Sequence, residues 1–138
     1  MSNDVPVLGE TFMRLRNFVI IKNVLEGGVY DPSSIPPQLL EDMYLVGNRP
    51  GHYQGFVNLM RNVDSWETAT TEYKNVNIPV LMVWGDEDWS TPEERKRDGE
   101  LEPGAQMVTV ERGGHFLPLD DPQAVIDEIR RFQATAVD

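Results

Sequence analysis

Two side chains in this sequence are placed to do proton chemistry. His115 stands in Gly113-Gly114-His115-Phe116-Leu117-Pro118, and Asp88 stands in Gly85-Asp86-Glu87-Asp88. A histidine on a short exposed loop can take a proton from a nucleophile and return it to a leaving group. A neighbouring carboxylate can fix its tautomer and stabilise the imidazolium. Asp86 is the alternative acid, although an aspartate so placed also serves to satisfy backbone N–H groups in a turn. Asp120 and Asp121 read as helix-start residues. His52 reads as a polar residue of a helical stretch, and Trp84 and Trp89 as packing residues.

The rest of the inventory is exclusionary. There is no Cys, so disulfides, thiolate nucleophiles and Cys-based metal sites are ruled out, and two histidines cannot build a multi-histidine metal centre. The serines are Ser2, Ser33, Ser34, Ser65 and Ser90, and none sits in a G-x-S-x-G elbow. The formal charge is −11. Residues 1–78 carry net −3 and residues 79–138 net −8. Phosphate binding needs clustered Lys and Arg, so nucleic acid and anionic lipid are poor partners. No apolar run reaches the length of a membrane span. The N-terminus lacks the pattern of a signal peptide, so a cytoplasmic location is expected.

The pair must be held by secondary structure. Residues 78–84 are a continuous apolar run ended by Gly85, which suits a strand buried on both faces. Thr91-Pro92-Glu93-Glu94 reads as a helix start with a capping box. Met107–Val110 is a second strand, and Asp121-Pro122 opens a last helix with Val125, Ile126, Ile129 and Phe132 on one face. Strand, helix and strand within residues 78–110 form a βαβ unit, so the strands run parallel. Their C-terminal ends then share one sheet edge, and the loops carrying Asp88 and His115 emerge side by side.

Residues 1–77 read as helices. Leu8, Phe12, Leu15, Val19 and Leu25 mark the first, ended by Gly27-Gly28. A turn follows at Asp31–Ser34, then a helix from Pro36-Pro37 to about Gly47 with Leu39, Leu40 and Met43 apolar. The third runs from about Pro50 to Arg61 with Phe56, Leu59 and Met60 inward. The fourth starts at Asp64 with Glu67 and runs to about Tyr73.

The order strand, G-D-x-D, helix, strand, G-G-H-F-x-P, helix resembles the last third of the α/β-hydrolase family. The resemblance implies an α/β fold: a partial α/β-hydrolase core, the C-terminal βαβα of a parallel sheet, preceded by a helical cap or lid. Domains 1–77 (cap) and 78–138 (core) follow. By position, Asp88 matches the family acid and His115 the family histidine. The G-x-S-x-G nucleophile and an H-G oxyanion stretch have no counterpart in these residues. The implied function is that of a hydrolase of an ester, amide, epoxide or carbon–halogen bond, inactive until an N-terminal half supplies the nucleophile. The implied partner is a small-molecule substrate, with no cofactor.

The alternative is a non-catalytic remnant or interaction module that associates through its sheet edge with a copy of itself or a complementary chain. The second edge of the 79–84 strand is expected to be open, with the amides of Val80, Met82 and Trp84 reporting on it.

Overall fold

The computed structural model describes residues 18–136. The first helix among the described residues, α1 (Phe18–Gly28), packs against α2 (Pro37–Gly47). Leu25, Val29 and Ile35 form the buried cluster, flanked by Ile21, Leu40, Phe116 and Leu119. Between the two helices Asp31 caps a 3-10 turn at Pro32–Ser34, its carboxylate accepting from the Ser33 N–H. Two short helices follow, α3 (His52–Arg61), entered through Gly51 in the left-handed region, and α4 (Asp64–Thr70). A 3-10 turn at Tyr73–Asn75 leads into the βαβα part.

That part is β1 (Leu81–Gly85), α5 (Pro92–Leu101), β2 (Gln106–Val110), the single turn α6 (Leu117–Asp120) and α7 (Pro122–Ala136). The strands are parallel, with Leu81 opposite Gln106 and Gly85 opposite Val110. The sharp start of α5 is chemical: the Thr91 hydroxyl accepts from the Glu94 N–H while Glu94 reaches back to the Thr91 N–H. Both orphan donors of the first turn are thereby satisfied. Asp121 caps α7, accepting from the Ala124 N–H at 2.8 Å.

Several expected inward faces are not inward. Val19 is exposed on α1, and Leu8, Phe12 and Leu15 lie outside the described residues. On α3 the buried residue is Val57; Leu59 and Met60 are exposed and Phe56 is half-buried. The fourth helix ends at Thr70, and Val63, with no side-chain hydrogen bond, holds its cap position instead of Asp64. On α7, Val125 and Phe132 are half-buried while Ile126 and Ile129 face solvent. Nor is β1 buried on both faces; its residues before Gly85 are only half-buried. For β1 and α7 the physical reason is shared. A two-stranded sheet gives its helices little surface to cover, so a second apolar stripe finds no partner among the described residues.

The strand register also corrects the expected open edge. Gln106 N–H donates to Val80 C=O and Asp86 N–H donates to Val110 C=O, at 2.9 and 3.0 Å. In a parallel ladder the backbone groups of alternate residues point the same way. Val80, Met82 and Trp84 therefore turn towards β2, and the outward amides are those of Leu81 and Val83.

Candidate active site

Both loops leave the C-terminal edge of the sheet, and the structure brings their two key residues together. His115 Nδ1 lies 3.2 Å from Asp88 Oδ2. An ionised carboxylate can only accept, so Nδ1 carries the proton and donates, and in the neutral ring Nε2 keeps its lone pair. The Asp88 side chain is 8% exposed and the His115 side chain 43%.

Asp88 is fixed from its other side as well. Its Oδ1 accepts from both the Ser90 N–H and the Ser90 hydroxyl, each at 2.7 Å. Burial of the carboxylate pushes its pKa up. The two Ser90 bonds, with the His115 hydrogen bond and charge, outweigh that and leave Asp88 below the ordinary aspartate value. Ser90 is held in turn by the buried Arg95, whose guanidinium donates to the Ser90 carbonyl at 2.7 Å. Asp86 does different work: its Oδ1 accepts from the Gly113 N–H at 3.2 Å, tying the two loops together.

The exit from β2 turns through a residue other than glycine. The residue with positive φ is Arg112, at 58°, and neither Gly113 nor Gly114 has positive φ. The glycines are needed for close approach instead. A Cβ on Gly114 would sit 2.6 Å from the Gly28 carbonyl oxygen and 2.8 Å from the Tyr30 nitrogen.

Three features at the site were misassigned or missed from sequence. Trp89 stacks on the His115 ring, and its Nε1–H donates to the Gly27 carbonyl at 2.9 Å. Phe116 N–H donates to the Gly28 carbonyl at 2.7 Å. Asp120 does not start a helix; it ends α6 and accepts hydrogen bonds from the Tyr30, Asp31 and Gly114 N–H groups. No local pattern signals the bonds to residues 27–31, because they join segments some 60 to 90 positions apart.

The remaining candidates lie elsewhere. His52 opens α3 and borders an apolar cavity with Ile21 and Met43. Trp84 is half-buried on β1. Ser90 turns its hydroxyl to Asp88, Ser34 to Asp120 and Ser65 to the Asn62 carbonyl. A cleft of about 820 Å³ between α4 and α5, lined by Trp66, Glu67, Trp89, Ser90, Arg97 and Leu101, adjoins the pair without His115 or Asp88 in its wall. Among the described residues no cluster of three His, Asp or Glu side chains is arranged to hold a metal. No helix there is long and apolar enough to cross a membrane.

Solved structures share the fold. Cfl2 from Burkholderia cenocepacia superposes with a TM-score of 0.78 at 23% identity, covering 93% of this chain and 44% of its own. A meta-cleavage product hydrolase, CumD, in point-mutant form, gives 0.71 at 23%, covering 94% and 50%. The epoxide hydrolase CorEH without ligand gives 0.69 at 20%, covering 95% and 47%. The chain thus spans half or less of the length of these structures. No curated protein matches it. The model of the alpha/beta hydrolase family matches residues 8–128, and the chain belongs to that family.

Proposed function

We propose that this chain carries the acid and histidine of an α/β-hydrolase active site, with Asp88 as the orienting carboxylate and His115 as the general base. The observation that carries the reading is which nitrogen meets the carboxylate. With Nδ1–H donated to Asp88, Nε2 faces away and can take the proton of a nucleophile or water, then return it to the leaving group. The nucleophile and oxyanion donors would come from residues outside these 138 or from a second chain. Residues 1–77 then act as a cap and residues 78–138 as the C-terminal core, in a cytoplasmic enzyme. The substrate is a small molecule with an ester, amide, epoxide or carbon–halogen bond. No cofactor enters this scheme.

The test is ¹⁵N NMR of the His115 ring near neutral pH. The Nδ1–H tautomer is expected, and Asp88→Asn should destroy its fixed form. An Nε2–H tautomer in the unaltered chain would defeat the reading.

A second reading has a specific observation behind it. Ile78 is 72% exposed, and Met107 on β2 and Ile126 and Ile129 on α7 are exposed as well. An apolar flank with an open strand edge suits association with another chain.

A further inference from the structure

We infer that Asp120 is a positioning residue for His115, locking the histidine loop to the turn that follows α1; this rests on the catalytic reading of His115. One carboxylate gathers donors from both segments. The Tyr30 N–H lies 2.9 Å from each oxygen, the Asp31 N–H 3.0 Å from Oδ1, and the Gly114 N–H 2.8 Å from Oδ2. The Ser34 hydroxyl adds a longer contact at 3.4 Å. Gly114 immediately precedes His115, so the bond at its N–H fixes the Gly113–Gly114 peptide, one step before the histidine.

The surrounding packing makes this an arrangement with little freedom. Gly114 meets the backbone of Gly28, Val29 and Tyr30 with no room for a Cβ. On the other side of His115, the Phe116 N–H is held by the Gly28 carbonyl. The peptides on either side of the Gly114–His115 unit are therefore tied to residues 28–31, and Asp120 is the ionisable side chain in those ties. A charged acceptor makes hydrogen bonds stronger than a neutral one does. The His115–Asp88 distance of 3.2 Å is at the long end of hydrogen-bond reach, so a small shift of the loop would break it. In this reading the helical segment does more than cover the site: its first connecting turn sets where the general base sits.

The experiment is NMR on the whole chain and on Asp120→Asn, which keeps the side-chain shape but turns one acceptor into a donor. In the unaltered chain the Tyr30, Asp31 and Gly114 amides should be protected from hydrogen exchange, and the His115 ring should hold one tautomer. In Asp120→Asn the exchange of those amides should quicken by roughly ten- to a hundredfold. The His115 ring should become a mixture of tautomers while the circular dichroism spectrum is retained. Unprotected amides in the unaltered chain would overturn the proposal, whether or not the variant folds. A folded Asp120→Asn with unchanged exchange and tautomer would overturn it while leaving His115 as a base. An Nε2–H tautomer in the unaltered chain defeats the catalytic reading, and the proposal with it.

Discussion

The indole of Trp89 lies flat against the imidazole of His115, with ring centroids 4.2 Å apart and 18° between planes. Phe116 closes the group edge-on to both rings. The histidine is thus held in two directions, by Asp88 in its plane and by Trp89 on its face.

This stack has an optical signature. An imidazole stacked on an indole should quench its fluorescence, so emission is expected to rise in His115→Ala. The rise should be absent when Trp89→Phe is made first, which leaves Trp66 and Trp84 as the only tryptophans. Equal emission from the unaltered chain and His115→Ala would mean that the two rings are not stacked in solution.

The second prediction follows from the lowered pKa of Asp88. A carboxyl depressed in the folded state contributes stability that is present above its unfolded value and is lost as pH falls towards the folded one. The window therefore lies below about pH 4. Ser90→Ala removes one of two Ser90 donors while leaving the backbone one. The Asp88 carboxyl should then titrate at higher pH and acid unfolding should begin earlier, with a cost at neutral pH of about 1.5 kcal/mol. Carboxylate ¹³C titration and a pH series of thermal melts measure both, and identical curves would remove Ser90 from the account.

Gly85 gives a steric prediction. A Cβ there would lie 1.9 Å from the Gly113 carbonyl oxygen, a backbone atom that cannot turn aside. Gly85→Ala should push the two loops apart and destabilise the chain by about 3 kcal/mol or more. Gly104→Ala, where nothing lies within 4 Å, is the control and should melt like the unaltered chain. Equal melting of both variants would contradict the close approach of β1 to the histidine loop.

What the sequence made legible was what neighbours in sequence decide. The Thr91–Glu94 box, the Asp121 cap and the βαβ order each follow from residues a few positions apart or from periodicity. The pairing of His115 with Asp88 was legible too, because parallel strands fix which loops meet. Asp120 was not, since the donors Tyr30 and Asp31 lie 90 and 89 positions away. Nor was the bond from Trp89 to Gly27, 62 positions away. The buried faces of α3 and α7 failed differently: an apolar stripe shows which residues are able to be covered, and only the neighbouring elements decide which are.

The fourth prediction concerns activity. Purified as these 138 residues, the chain is expected to release no nitrophenol from activated esters above background. Among the described residues, Ser34, Ser65 and Ser90 all direct their hydroxyls to other partners. Loss of a single oxyanion donor alone costs on the order of 10²–10³ in rate. A burst of nitrophenol abolished by His115→Ala would show that a nucleophile is present after all.

The last prediction concerns the outer edge of β1. The strand is paired on one side only among the described residues, and two strands joined by one crossover are a weak sheet. The outward amides of Leu81 and Val83 should exchange quickly in dilute solution, while those of Met82 and Trp84, turned towards β2, should be slower. An unpaired edge flanked by exposed apolar residues invites another strand. Protection at Leu81 and Val83 should therefore rise with protein concentration, in step with growth of a dimer or larger species in sedimentation. Replacing Val83 by Lys places a charge in the middle of the strand and should suppress that growth. Full protection of Leu81 and Val83 in a sample that sediments as a monomer at every concentration would mean that the chain closes its own edge, and association through β1 would have to be abandoned.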